Sequence, residues 1–350
     1  MSLPLFAAYP ALASSIAHQP MALLPTPVEP LGGNGKGFSN AWIKRDDLTH
    51  NEYGGNKIRK LEFILAEAVG QGKKRVVTFG AIGTNHGVAT SMLCQQQGIA
   101  CTVFLFDQPI SKTVQQNLQL MQHYGAELIY CGSLFSSVFR YYFNQYRLNK
   151  ECYFLFAGGS NVAGTIGFVN AAFELKAQID NGEMPEPELI VCPVGSSSTL
   201  AGLTIGCQLA GLNTQVKGIR VAPAFLGPFP ACTTGTVGAL MKKTQQQLEA
   251  AGVEPKEKWK KPELISDYYG EGYGVATRAG ELAQLSMLQQ GIKVEQTYTA
   301  KAVAAFYDEL AVASGPCLYW HTYNSQDMAE QVEQVENKKM PVELQAFLAG

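Results

Sequence analysis

The chain has 350 residues, 46% of them hydrophobic and only 16% charged, with a formal net charge of −2. Its length points to two domains, and its low charge with high apolar content excludes a disordered chain. The 27 Lys and Arg against 29 Asp and Glu leave no basic excess to neutralise a phosphate backbone, which argues against nucleic acid as a partner.

Residues 1–28 carry no formal charge, and no Lys or Arg precedes Lys36. A signal peptide's basic start is therefore missing, and Pro4, Pro10, Pro20, Pro25 and Pro27 would break a membrane-spanning helix. The segment reads as an arm laid over the body. From residue 75 short apolar runs alternate with amphipathic stretches. Strands are expected at 75–79, 100–106, 127–131 and 153–157, with helices at 86–97, from Ser111 to Tyr124, at 134–148, and from Asn161 to Gln178. A polar, Pro-containing break covers 180–188. The pattern then restarts with strands at 189–194 and 216–222 and a late one at 317–322. Helices are expected at 199–210, 236–251, 277–290 and 299–313 and after Ser325. Continuous apolar strands separated by helices imply α/β architecture, with two parallel sheets covered on both faces.

The eight cysteines form no C-x-x-C pair and sit mostly in apolar runs such as CTVFLF and LIVCPV. They read as small buried hydrophobes in a reducing cytoplasm, with no metal site. No strand–GxGxxG–helix unit, P-loop, H-E-x-x-H or G-x-S-x-G is present.

The segment GGNKIRKLEFILAEAV, residues 54–69, is the most informative. Leu61, Ile64, Leu65 and Ala68 form one helical stripe, and four residues before Leu61 stands Lys57. Arg59, Lys60, Glu62 and Glu67 are expected mostly on other faces. An inward lysine has a lowered pKa, as a lysine that bonds an aldehyde needs. The same pattern also suits a lysine whose stem covers apolar surface while its head reaches water. Two loops bear on the choice. FGAIGTNHG (79–87) and VGSSSTLAG (194–202) each follow a strand and open a helix, presenting N–H groups and short hydroxyls to an anion. Ser196, Ser197, Ser198 and Thr199 would form a phosphate cup, with Gly202 allowing close helix packing. A buried lysine with a phosphate cup and no nucleotide motif fits pyridoxal 5'-phosphate.

WIKRDDLT (42–49) followed by GGNKIRKLE (54–62) resembles the D-cysteine desulfhydrase and 1-aminocyclopropane-1-carboxylate (ACC) deaminase family, pyridoxal-phosphate enzymes of the tryptophan-synthase-β-like fold, fold type II. The resemblance runs through GAIGTNHG, GSSSTLAG, YYGEGYGVAT, TYTAKA and LYWHT, roughly residues 40 to 325. It implies Lys57 as the cofactor lysine, Asn85 at the phenolic oxygen and Ser197, Ser198 and Thr199 at the phosphate. It also implies Thr84 beside the reacting carbon, Tyr273 and Tyr298 facing the substrate, and Thr322 near the pyridine nitrogen.

Three departures stand out. Thr84 replaces a serine, and its methyl is expected to crowd the site. Tyr323-Asn324 replaces Gly-Gly, which is expected to crowd the cofactor end. Thr299 replaces the glutamate of ACC deaminases, which favours thiol elimination over ring opening. Tyr273 and Tyr298 also suit satisfied core tyrosines, His86 and His321 read as structural, and Asp46 and Asp47 as loop partners of Arg45. The expected organisation is a small α/β domain at 60–165 and a large one from 1–59 plus 166–350, with the cofactor between them. The expected activity is α,β-elimination from a small amino acid, D-cysteine above all, by a cytoplasmic homodimer without membrane or nucleic-acid partners. A silent pyridoxal-phosphate-binding protein and an α/β enzyme without this cofactor are the alternatives.

Overall fold

A computed structural model describes residues 2–32, 40–255, 257–336 and 339–348. The first elements are two short helices, α1 (Pro4–Ala8) and α2 (Leu12–Ser15), then β1 (Val28–Pro30) and β2 (Ala41–Arg45). Leu5 and Leu12 of this arm are fully buried in the core of the larger sheet. Helix α3 (Lys57–Gly70) leads into β3 (Arg75–Ala81), α4 (Asn85–Gln96), β4 (Ala100–Phe106), α5 (Lys112–His123), β5 (Glu127–Gly132), α6 (Leu134–Tyr142) and β6 (Cys152–Phe154). The remainder comprises α7 (Val162–Asp180), β7 (Leu189–Val194), α8 (Ser198–Leu209), β8 (Gln215–Arg220), a hairpin of β9 (Phe225–Leu226) and β10 (Phe229–Pro230), and α9 (Thr234–Ala250). It ends with β11 (Glu263–Ile265), α10 (Arg278–Leu288), α11 (Thr299–Leu310), β12 (Cys317–His321), α12 (Ala329–Glu333) and α13 (Val342–Gln345).

Two sheets result. The smaller runs β5-β4-β3-β6, all parallel; the larger runs β1-β2-β12-β7-β8-β11, parallel except for antiparallel β1. Each strand feeds both of its faces. Along β7, Ile190, Cys192 and Val194 enter one core while Leu189 and Val191 enter the other. That two-sided burial is why these runs lack polar alternation. Helices α7 and α8 cross closely at Gly202, where a Cβ would fall 2.4 Å from Phe168 Cβ and from the Thr165 carbonyl oxygen.

Both sheets have a point where chain order reverses: β3 is flanked by β4 and β6, and β7 by β8 and β12. Loops leaving such strands diverge and open a crevice at their carboxyl ends. Thr84 and Asn85 follow β3, and Ser196 to Thr199 follow β7.

Several expectations need correction. The helix expected over 134–148 ends at Tyr142. Asn144 Nδ2 there donates to the carbonyls of Arg140 (2.8 Å) and Tyr141 (2.9 Å), satisfying the helix end, while its Oδ1 accepts the Tyr146 N–H. The helix expected after Ser325 starts only at Ala329, whose N–H is accepted by Asp327. Arg59, Lys60 and Glu62 are buried rather than on outer faces, because α3 lies between the two cores, with Phe63 in one and Leu61, Ile64 and Leu65 in the other. Asp47 does pair with Arg45, at 2.8 Å, but Asp46 pairs with Arg59 at 2.7 Å and accepts the Trp320 indole N–H at 2.7 Å. Met328, Met340 and Leu344, near the end of the chain, pack into the core of the smaller sheet.

Candidate active site

The turn before α3 sets the position of Lys57. The Gly55 N–H donates to the Asp46 carbonyl (2.9 Å), the Asn56 N–H to the Thr322 carbonyl (3.1 Å) and the Gly54 N–H to Asn324 Oδ1 (2.7 Å). Gly55 has φ +104°, and a Cβ there would lie 2.8 Å from the Thr322 carbonyl oxygen, so only glycine fits. The start of α3 is thus docked on the end of β12.

Lys57 is half-buried, its Nζ 3.9 Å from where a Cβ on Gly158 would stand. Burial of its ammonium lowers its pKa to about 8, opposed by a contact with Lys60. Lys60, one turn on, is buried, and its Nζ donates to the Gly158 carbonyl at 3.2 Å. Burial and the neighbouring Lys57 charge push its pKa well down. Among the described residues neither lysine forms an ion pair with a carboxylate.

The 194–202 loop lies alongside. Ser196 Oγ donates to the same Gly158 carbonyl (3.2 Å), and Thr199 Oγ1 accepts from Asn56 Nδ2 (3.2 Å). Ser198 Oγ is buried without a partner, and Ser197, at the N-cap of α8, makes no side-chain cap. An uncapped helix start, an orphaned hydroxyl and a buried lysine lacking a counter-ion share one need, which a phosphate dianion meets. The residues present therefore fit pyridoxal phosphate.

Across the crevice Asn85 begins α4. Its Oδ1 accepts from Asn117 Nδ2 (2.7 Å) and the Tyr53 hydroxyl (3.1 Å), which turns its Nδ2 toward another acceptor. Thr84 caps α4, accepting the Gly87 N–H at 3.2 Å, and its methyl lies against Gly80 and Gly87. The methyl therefore packs between strand and helix, contrary to the expected crowding. His86 is held by Thr78 (2.9 Å) and Thr90 (3.4 Å), and burial with the nearby Lys57 and Lys60 holds its pKa far down. It is a neutral brace.

Tyr273 and Tyr298 meet hydroxyl to hydroxyl, with rings edge-to-face at 5.8 Å. Burial raises both pKa values, so both are neutral phenols. Tyr298 lies over Gly195, beside the serine loop. Thr322 is partly exposed at the end of β12. Thr299 Oγ1 accepts the Glu295 N–H (2.8 Å), while the buried Glu295 carboxylate accepts the N–H groups of Thr297 (2.7 Å), Tyr298 (2.8 Å) and Thr299 (3.1 Å). Asn324 clamps Gly54 as described, and Tyr323 turns its buried ring toward Thr113 of α5.

The crevice thus brings together Lys57, Thr84 and Asn85, the 196–199 loop, Tyr273, Tyr298 and Thr322. Sequence reasoning missed Lys60, Tyr53 and Glu295. The available signal for Lys60 was its i, i+3 spacing from Lys57, which sets it beside Lys57 rather than on an outer face.

Known proteins resemble this chain along most of its length. The chain is 31% identical over 294 residues to D-cysteine desulfhydrase of Serratia proteamaculans, covering 80% of this chain and 85% of that protein. It is 29% identical over 327 residues to D-cysteine desulfhydrase of Salmonella schwarzengrund, covering 90% and 94%. The crystal structure of an ACC deaminase homologue superposes with a TM-score of 0.77 at 25% identity, covering 99% of this chain and all of that one. Residues 20–317 match the family described as pyridoxal-phosphate dependent enzyme, and the chain, a fold type II α/β protein with that cofactor's cradle, belongs to this family.

Proposed function

We propose that the enzyme eliminates the β-substituent from a small amino acid, converting D-cysteine and water to pyruvate, hydrogen sulfide and ammonia. The observation that carries this reading is geometric: Lys57 Nζ and Ser196 Oγ both lie against Gly158, Asn56 beside Lys57 bonds Thr199, and the phenols of Tyr273 and Tyr298 meet hydroxyl to hydroxyl. Bound pyridoxal phosphate supplies an aldehyde for the substrate amine and a conjugated ring that spreads negative charge from the α-carbon. The cofactor would sit between a small domain at 60–165 and a large one from 1–59 plus 166–350. Ser196, Ser197, Ser198, Thr199 and Lys60 would hold its phosphate, Asn85 Nδ2 its phenolic oxygen, and the Thr322 hydroxyl its pyridine nitrogen.

Lys57 Nζ is the base for the α-proton, and burial shifts it toward its neutral, proton-accepting form. Thr84 orients the substrate. Tyr273 and Tyr298, linked hydroxyl to hydroxyl, deliver a proton to the departing sulfur. The relatives named D-cysteine desulfhydrase support the substrate, and so does Thr299. Its hydroxyl is neutral, and the nearby Glu295 carboxylate is committed to backbone N–H groups. Ring opening of ACC has no α-proton to remove and gains more from a protonated pyridine than thiol elimination does.

Assaying D-cysteine and ACC side by side at saturation tests the reading: sulfide is expected well above 2-oxobutanoate. A preference for ACC overturns the substrate, and an aldehyde-cofactor absorbance band unchanged by either compound favours a silent binding protein. The reading includes a homodimer in a reducing cytoplasm, supported by eight free cysteines and by exposed Phe135, Phe139 and Phe143 along α6. Sedimentation of the holoenzyme checks the assembly.

A further inference from the structure

We propose that Lys301 is a positioning residue that sets Tyr273 against Tyr298. Lys301 lies in the first turn of α11 and is fully buried. A cation at that end of a helix opposes the helix dipole and loses its hydration, so the surroundings must compensate. Its Nζ donates to the carbonyls of Tyr269 (2.7 Å) and Gly272 (3.3 Å), and stands 5.4 Å from the centre of the Tyr269 ring. Gly272 directly precedes Tyr273. The lysine therefore grips the loop that carries one phenol.

The other phenol, Tyr298, is the N-cap of the same helix. Its N–H is held by the Glu295 carboxyl at 2.8 Å. One helix end thus fixes both tyrosines, one through a carboxylate and one through an ammonium. Nothing in this arrangement places Lys301 on the substrate. It acts through Tyr273, and its role presupposes that the phenol pair serves the reaction proposed above.

The test uses holoenzyme carrying Lys301→Met, Lys301→Arg, Tyr273→Phe and the Lys301→Met, Tyr273→Phe pair. Lys301→Met is expected to lower kcat/KM roughly tenfold to a hundredfold, as small misplacements of reacting groups do, while Lys301→Arg restores most of it. The pair is expected to be no worse than the poorer single variant, because both changes disable one phenol. Hydrogen exchange of the amides at 268–276 is expected to speed up in Lys301→Met. If that variant fails to fold, Lys301→Gln carries the same comparisons. Additive losses, or exchange at the wild-type rate, overturn the proposal. If the wild type releases no sulfide from D-cysteine, the proposed reaction falls, and the exchange measurement still decides the role of Lys301.

Discussion

Lys60 and Ser196 donate to one and the same acceptor, the carbonyl of Gly158, each at 3.2 Å. A carbonyl is a poor substitute for an anion beside a buried amine, and burial holds the Lys60 pKa well down. A phosphate dianion in the cradle would restore the charge on Lys60 and give the orphaned Ser198 hydroxyl an acceptor. Each bond to a charged group is worth about 1.5–3 kcal/mol. Ser198→Ala is therefore expected to weaken cofactor affinity about tenfold to a hundredfold, and Lys60→Met more. Equilibrium dialysis against free pyridoxal phosphate reads the effect; unchanged retention in both variants removes the phosphate from this cradle.

Cofactor uptake should carry the pKa of Lys57. Only the neutral amine attacks an aldehyde, and burial lowers this lysine from 10.5 to about 8. As pH falls through that value the amine protonates and attack slows. The uptake rate of the apoenzyme is thus expected to climb up to about pH 8 and then level, whereas an exposed lysine would keep gaining up to 10.5. Stopped-flow absorbance on the apoenzyme measures the profile. Lys57→Ala is expected to leave no pyridoxyl group on the chain after borohydride reduction, and a label mapped to another lysine removes Lys57 from its role.

What the sequence made legible follows from how each signal arises. The strands of both sheets show as β-branched and aromatic runs because burial on two faces makes them continuously apolar. Lys57 shows because it interrupts a stripe. Lys60 and Arg59 did not show. A one-stripe reading assumes one core, while α3 lies between two, so its polar residues are buried with partners 98 and 115 positions away. Strand β1 and strand β11 have three residues each, too few for a period to register. The docking of β2 on β12, registered from Ala41 with Cys317 to Arg45 with His321, joins segments with no local signal of pairing. The end of α6 at Tyr142 depended on the Asn144 side chain folding back on the helix, which a hydrophobic pattern does not record.

Asn324, in the Tyr323-Asn324 pair that stands where Gly-Gly was expected, clamps the turn before Lys57. Its Oδ1 accepts the Gly54 N–H at 2.7 Å and the Gln326 N–H at 3.1 Å. Gly54 is buried three residues before Lys57. Asn324→Ala leaves that donor unsatisfied, at a cost of about 1–3 kcal/mol. The holoenzyme is expected to lose stability by that amount in urea unfolding. It should also lose kcat/KM, because the turn that aims Lys57 slackens. Asn324→Asp, which keeps the acceptor, is expected to retain most of both. Equal behaviour of the alanine and aspartate variants would show that the clamp does not matter.

Thr84 gives the sharpest contrast between expectation and structure. A methyl added to a serine beside the reacting carbon should narrow the site and slow the reaction, and Thr84→Ser should then speed it. The structure turns the methyl the other way. A Cβ built on Gly87 would lie 2.4 Å from Thr84 Cγ2, and one on Gly80 2.9 Å from it, so the methyl fills the space those glycines leave. The hydroxyl still caps α4 through the Gly87 N–H. Thr84→Ser is therefore expected to keep kcat/KM for D-cysteine within a few-fold of wild type. Its cost is stability, about 1 kcal/mol for one buried methyl and the small void it leaves. Thr84→Val keeps the methyl and loses the hydroxyl, so it sacrifices the cap, about 1 kcal/mol, and the orienting group as well. Its activity should fall well below that of the serine variant. Steady-state kinetics and urea unfolding of the two variants separate the effects. A large rate gain in Thr84→Ser would mean that the methyl reaches into the crevice when substrate is bound.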